Sequence, residues 1–195
     1  MTRPVAPEGY DLIKRFESLH DGDPNTPLLE PQRDPVGIWT IGWGSIWDLE
    51  GKRVTAHTAP ITHDQAEVLL QREVGRHAVG VDRYLDIWLP DLSFAAVVSF
   101  AYNLGVGAFR ASTLRRRINS GNWWDVPHQF SRWNKAGGRV LRGLVRRRRA
   151  EAELFMRGVL QAGYIVVDRK GKVIGYEGES GQTNIHGWSS TVASA

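Results

Sequence analysis

The chain has 195 residues, 42% of them hydrophobic and 24% charged, with a formal net charge of +4. That is an ordinary globular composition, long enough for one substantial core or two lobes. It contains no cysteine, which excludes disulfides, thiolate metal sites and cysteine nucleophiles. No apolar stretch approaches the roughly 18 residues that cross a bilayer, and Met1-Thr2-Arg3-Pro4 does not open a signal-peptide apolar region. The six histidines lack metal-ligand spacing such as H-E-x-x-H, and there is no glycine-rich phosphate cradle, so neither a metal nor a cofactor is expected.

Leu12, Ile13 and Phe16 fall at helical intervals before Glu17, predicting a short amphipathic helix with Glu17 in its last turn and Gly22 and Pro24 as its stop. From Asp34 onward, Trp39-Thr40-Ile41 is aromatic and β-branched, and the glycines at 37, 42 and 44 punctuate it as a tight hairpin. Thr62-His63-Asp64-Gln65 fits a capping box, opening a helix with Ala66, Leu69, Leu70 and Val74 on one side. After Pro90 and Asp91, Ser93 is placed to cap a strongly apolar helix from Phe94 to Leu104, which Gly105 ends. Further helices are expected at residues 113–120, 123–133 and 141–158. In the tail, residues 164–168 and 172–176 read as a hairpin packed on the body, and residues 177–195, rich in Gly and Ser, read as loosely ordered.

Chemistry is concentrated near the start. Glu17 sits in a helix, and Asp34 and Thr40 sit in a hairpin. Two carboxyl groups in different environments can divide acid and base roles, because burial raises one pKa while hydrogen bonding keeps the other group ionised. That pair is the minimum equipment for cleaving a glycosidic bond. The plainer alternative for each residue taken singly is a solvated helix-end acid for Glu17, a turn former for Asp34 and an ordinary strand residue for Thr40. Asp21, Asp23 and Asn25 resemble the opening of a calcium loop, but Thr26 and Gln32 stand where Gly and Glu belong, so a turn is the better reading.

The joint pattern, Glu17 followed by Asp34 and Thr40 within Val36-Gly37-Ile38-Trp39-Thr40-Ile41-Gly42-Trp43-Gly44, resembles the phage-type lysozymes, the muramidases of glycoside hydrolase family 24. The similarity extends through Gln65-Ala66, Leu69-Leu70, the run from Val98 to Phe109, Ser112-Thr113-Leu114, Trp133, Gly143-Leu144-Val145, Arg147-Arg148 and Glu151. It implies an α+β, mostly helical, two-lobed fold. Residues 1–61 would form an N-terminal lobe with the catalytic residues, 62–158 a linking helix and helical lobe, and 159–195 an extension. The stretch between Glu17 and Asp34 is longer than is usual in the family, which is accommodated by treating residues 20–27 as an insertion. Asp21 and Asp23 are then rival carboxylates, and Thr40 favours Asp34.

The resemblance implies hydrolysis of the β-1,4 bond between N-acetylmuramic acid and N-acetylglucosamine in bacterial peptidoglycan. Glu17, kept protonated by partial burial, would be the proton donor. Asp34 would face the other side of the sugar, Thr40 would hold the attacking water, and the outcome would be inversion. Asn103 would line the cleft or end its helix. Arg147 or Arg148 would pair with Glu17 or bind a muropeptide carboxylate, unless they are simply exposed helical arginines. Trp133 is expected to pack in the core, and Trp39 and Trp43 are likewise core candidates more than sugar platforms. Such an enzyme would be made in the host cytoplasm without a signal peptide, reach the wall after holin-type release, and act as a monomer.

Charge is uneven. Residues 110–157 carry 13 basic and 3 acidic side chains, whereas residues 1–60 carry 6 and 9. Such a basic lobe suits an anionic envelope polymer as a further partner. A nucleic-acid binder would explain the arginine runs but leave Glu17, Asp34 and Thr40 without purpose, so no nucleic acid is expected. A lytic transglycosylase would cut the same bond with one acid and no water.

Overall fold

A computed structural model describes residues 3–17, 19, 27–34 and 36–164, together with the strand backbones at 166–167, 173–177 and 183–185 in the tail. Helix α1, Pro7–Glu17, has Pro at its first position and Glu8 in its first turn, with Lys14 and Arg15 in its last. This order suits both the fixed φ of proline and the helix dipole. Its inner face buries Ile13 in a large helical core. Glu17 is its final residue, as the spacing predicts; Gly22, Pro24, Asp21, Asp23 and Asn25 lie outside the described residues.

The next segment forms two small antiparallel ladders. Strand β1, Leu28–Leu29, pairs with β4, Ile61–Thr62, and β2, Gln32–Arg33, pairs with β3, Trp39–Thr40, in the register Gln32 to Thr40. The expected hairpin is β2–β3, whereas the β1–β4 pairing had no local signal. Leu29, Ile41, Val54, Ile61, Ala66 and Leu69 form a second, smaller core. Helix α2, His63–Asp82, opens on the expected capping box: Gln65 N donates to Thr62 Oγ1 at 3.2 Å and Thr62 N donates to Gln65 Oε1 at 2.8 Å.

Helix α3, Asp91–Leu104, is buried all round from Ser93 to Ala101 and is the centre of the larger core. It begins two residues before the proposed Ser93 cap, because Pro90 already fixes a suitable backbone. Ser93 Oγ instead donates to the Phe155 carbonyl at 2.7 Å. Helix α4, Val106–Ala111, follows Gly105, and α5, Thr113–Asn119, is capped by Ser112, whose Oγ accepts from Arg115 N at 3.0 Å. The single helix expected at 123–133 is a 3-10 turn, Trp123–Asp125, and α6, Val126–Ser131, with a proline at their junction. Trp133 packs edge-on against Phe100, ring centroids 5.5 Å apart, and so serves the core as expected.

A hairpin not expected from the sequence, β5 Lys135–Ala136 with β6 Arg139–Val140, turns on Gly137 and Gly138, both at positive φ. Helix α7, Arg142–Gln161, then crosses α3 and continues three residues past Gly158, the expected end. Gly158 is a packing residue. A Cβ there would lie 2.5 Å from Ser93 Oγ and 2.6 Å from Ser93 N, so the two helices approach this closely only over a glycine. Beyond α7, β7 Val166–Val167, β8 Val173–Glu177 and β9 Thr183–Ile185 form a three-stranded antiparallel sheet in sequence order. The third strand falls in a segment expected to be loose. Strands β8 and β9 run against α7, and β7 runs against the 3-10 turn. Among the described residues, no helix is long and apolar enough to cross a membrane.

Trp43 and Tyr102 help to join the smaller core to the larger. Trp43 packs against both, and Tyr102 Oη on α3 donates to the Trp43 carbonyl at 3.0 Å. Burial, then the negative charges of Glu17 and Glu73, push the Tyr102 phenol well above its ordinary range.

Replacing Gly158 with Ala is expected to destabilise the protein by about 1–3 kcal/mol through overpacking against Ser93, read as a lower urea midpoint with an unchanged m-value. Above about pH 10 an unfolded tyrosine ionises while folded Tyr102 keeps its proton, so stability falls as pH rises past that point. Tyr102→Phe is expected to lose less stability than wild type between about pH 9 and pH 11 in urea titrations.

Candidate active site

Helix α1 ends by delivering Glu17 to the side of α7. Arg147 Nη1 donates to Glu17 Oε1 at 2.5 Å, with the Glu17 side chain 22% exposed and that of Arg147 only 3%. Arg147 is itself fixed from behind: Nε donates to Glu151 Oε1 at 3.1 Å and Nη2 to the Ser99 carbonyl at 3.3 Å. Its guanidinium plane thus spends one edge on the scaffold and one nitrogen on Glu17, the forked geometry that a lysine cannot supply.

Glu151 is fully buried and takes charge from both sides. Besides Arg147, it accepts from Arg148 Nη2 at 2.8 Å and from Ser99 Oγ at 3.0 Å, all on Oε1. Arg148 Nε lies 2.8 Å from Oε2 without the alignment of a hydrogen bond, so that contact is Coulombic. Burial pushes the Glu151 carboxyl up, against the pull of Arg148 and Arg147, and burial likewise lowers Arg148. Arg148 also donates from Nη2 to Asn103 Oδ1 at 3.1 Å, so Asn103, near the end of α3, is held by a side-chain bond. Gly105 takes the capping position.

The other two candidate residues lie in the turn and strand of the β2–β3 ladder. Asp34 Oδ1 accepts from Val36 N at 3.0 Å and Ile38 N at 2.8 Å, while Asp34 N donates to the Ile38 carbonyl at 2.8 Å. The aspartate therefore builds the β2–β3 turn, and both side-chain bonds fall on one oxygen. Thr40 is buried at the start of the next loop, its Oγ1 at the long distance of 3.4 Å from the Gln32 carbonyl. Ile41 and Ser45 then close a short loop through paired backbone bonds of 2.9 and 3.0 Å. Gly44, at its far end with φ +85°, brings the loop against Glu17: a Cβ there would lie 3.8 Å from Oε2. A side chain at this position would cover the one Glu17 oxygen that Arg147 leaves open.

The expected pairing of an arginine with Glu17 is therefore present, and the identity of the partner is Arg147. Arg147 and Arg148 are not exposed helical arginines. Both are turned inward, at 3% and 1% exposure; Arg147 bonds to Glu17, Glu151 and Ser99, and Arg148 bonds through Nη2 to Glu151 and Asn103. Sequence reasoning assigned no role to Glu151, Ser99 or Tyr102. The available signal was the placement of Arg147 four residues and Arg148 three residues before Glu151, on a helix whose neighbouring Ala152, Leu154 and Phe155 are core residues. Among the described residues, no group of three or more His, Asp or Glu could hold a metal ion.

Comparison with known proteins agrees with this architecture. The family model described as phage lysozyme matches residues 27–151. The chain is 37% identical over 155 residues to the endolysin of Bacillus phage B103, covering 79% of this chain and 54% of that protein. It thus spans about half the length of that relative. Among solved structures, the endolysin from Escherichia coli O157:H7 phage FAHEc1 superposes with a TM-score of 0.68 at 33% identity, covering 78% of this chain and 93% of that one. The muramidase domain of SpmX from Asticaccaulis excentricus superposes with a TM-score of 0.64 at 29% identity, covering 78% and 97%. The matched region takes in the β2–β3 turn, the loop that carries Gly44 and the Arg147, Arg148 and Glu151 cluster, and on these grounds the chain belongs to the phage lysozyme family.

Proposed function

We propose that this protein is an endolysin that hydrolyses the β-1,4 bond between N-acetylmuramic acid and N-acetylglucosamine in bacterial peptidoglycan, with inversion at the cleaved carbon. The observation that carries the reading is the asymmetric setting of Glu17, with Oε1 fixed by a buried guanidinium and Oε2 beside Gly44. A carboxylic acid held this way presents one oxygen in one direction, which is what general acid catalysis requires.

In this mechanism Glu17 donates its proton to the glycosidic oxygen as the bond to the anomeric carbon breaks. A water held by Thr40 attacks that carbon from the opposite face and gives its proton to the Asp34 carboxylate, whose Oδ2 is not used by the turn bonds. Thr40 suits holding the water, because its buried hydroxyl makes only a long bond to backbone. Arg147 acts as a positioning residue for Glu17. Asn103, tied to Arg148, is assigned to the cleft wall. The whole protein would be made in the host cytoplasm and reach the wall after holin-type release.

Glu17→Gln is expected to lower the rate of peptidoglycan digestion by about 10²- to 10⁴-fold with the melting temperature unchanged within about 2 °C. Product masses should be those of the hydrolysed disaccharide, and proton NMR of the first-formed anomer should show inversion. Anhydro-muramyl products would point to transglycosylation, and a retained anomer would remove the Asp34 and Thr40 water mechanism.

Glu151→Gln leaves buried Arg148 without a counter-charge and Arg147 with Glu17 alone, and is expected to cost about 3–5 kcal/mol in chemical unfolding. Arg147→Lys keeps the charge but not the fork. It is expected to lower kcat by about tenfold with a smaller loss of stability, and a kcat equal to wild type would remove the positioning role.

A further inference from the structure

Both oxygens of the Glu17 carboxylate are referred to the same helix, α3. On the Oε1 side, Arg147 holds the carboxylate through Nη1 and donates from Nη2 to the Ser99 carbonyl at 3.3 Å. On the Oε2 side lies Gly44, where a Cβ would come within 3.8 Å of that oxygen. The residue before it, Trp43, offers its carbonyl to Tyr102 Oη at 3.0 Å. Ser99 and Tyr102 are three residues apart on α3, hence neighbours on one face. The first support belongs to the Glu151 cluster. The second is independent of it and has no place in the proton-transfer scheme.

Tyr102 is held so that its hydroxyl has one direction. Its ring packs against His77 of α2 with centroids 5.2 Å apart, and His77 Nδ1 lies 2.8 Å from the Glu73 carbonyl, which fixes that imidazole in turn. The phenol is largely buried and feels the negative charge of Glu17, which places it near the general acid. Trp43 is held through its ring as well. Lys14 Nζ stands 5.7 Å from the indole centroid and pairs with Glu67 Oε1 of α2 at 2.6 Å. Lys14 precedes Glu17 by three residues on α1, so the indole is gripped by the helix that ends in the acid. The indole Nε1, by contrast, is buried without an acceptor among the described residues. A buried donor without a partner costs stability, so the placement of Trp43 serves its ring and its carbonyl and not its N–H.

We propose that Tyr102 is a positioning residue of the reaction: its hydroxyl, by fixing the Trp43 carbonyl, sets the loop closed by Ile41 and Ser45 against the outer oxygen of Glu17. This inference rests on the hydrolase reading above and adds a residue that acts on the acid through a loop. With the bond in place, Gly44 stays beside Oε2, and the direction in which the proton leaves is set. Without it the Trp43 carbonyl loses its donor and the loop settles elsewhere. A misplacement of about 1 Å near a reacting group is worth up to about 10²-fold in rate. Phenylalanine keeps the ring and its contact with His77 but cannot make the bond, so the hydroxyl alone is at issue. The effect falls on turnover and not on substrate affinity.

The test is a double-mutant cycle in the full chain on purified peptidoglycan: wild type, Tyr102→Phe, Glu17→Gln and the two combined, with digests long enough to quantify the residual Glu17→Gln rate. Tyr102→Phe is expected to lower kcat about tenfold with KM within about twofold. In the Glu17→Gln background the same substitution should change the residual rate by less than about twofold, because no proton donor is left to position. Amide hydrogen exchange, which needs no turnover, should quicken about tenfold at Ile41 and Ser45 in Tyr102→Phe and stay as in wild type along α7. A hydroxyl with a structural role alone would lower both backgrounds alike, and that result would overturn the proposal. So would Tyr102→Phe with the kcat of wild type, whether or not KM rises, or unchanged exchange at Ile41 and Ser45. Wild type inactive on peptidoglycan would instead refute the hydrolase reading itself, so the two failures are distinct.

Discussion

Everything the site can do depends on one buried carboxylate. Glu151 lies in the larger core, among residues that exclude water, and is matched there by two guanidiniums and a serine hydroxyl. Burying such a group is costly unless every partner is in place, so the arrangement is all or nothing. With Glu151 charged and bonded, Arg147 has one orientation, and with Arg147 oriented, Glu17 has one as well. The chain of constraint runs from a helix interior to the Glu17 carboxylate in two contacts. In the proposed reaction none of the residues in the middle needs to touch a substrate.

The glycines serve this arrangement in two different ways. At Gly158 the absence of a side chain lets α7 settle against α3, which is what places Arg147, Arg148 and Glu151 opposite Ser99 and Asn103. At Gly44 the positive φ turns the loop, and the missing Cβ keeps the outer oxygen of Glu17 uncovered.

Features with local causes were legible in the sequence, and features with distant causes were not. The capping box at Thr62 and Gln65 and the apolar run of α3 each depend on neighbours a few residues away, and they stand where the spacing places them. So does Glu17 at the end of α1. The β2–β3 turn was legible in part, from Gly37 and Trp39-Thr40-Ile41, with turn formation by Asp34 standing as the plainer alternative to a catalytic role. By contrast, β1 pairs with β4 across an intervening hairpin, and Ser93 exchanges a capping role for a bond to Phe155, 62 residues away. The arginine opposite Glu17 is 130 residues distant. Periodicity on α7 marks Arg147 and Arg148 as polar residues on a helix, and nothing local distinguishes a solvated arginine from one that a buried glutamate has drawn inward. The Gly137-Gly138 hairpin was a local signal passed over because the surrounding residues are too polar and too few to read as strands.

Helix α1 comes first in the chain, yet Ile13 anchors it in the larger core, while Asp34 and Thr40 belong to the strands and loops around the smaller one. The two halves of the proposed chemistry therefore ride on separately packed bodies, joined at Trp43 and by α2, which carries Ala66 and Leu69 in one core and Leu70, Val74 and Ala78 in the other. The gap between acid and water-holding residues is then set by how the two bodies lean on each other, not by any local geometry. In the proposed mechanism the catalytic spacing is thus fixed by how α2 carries the two cores.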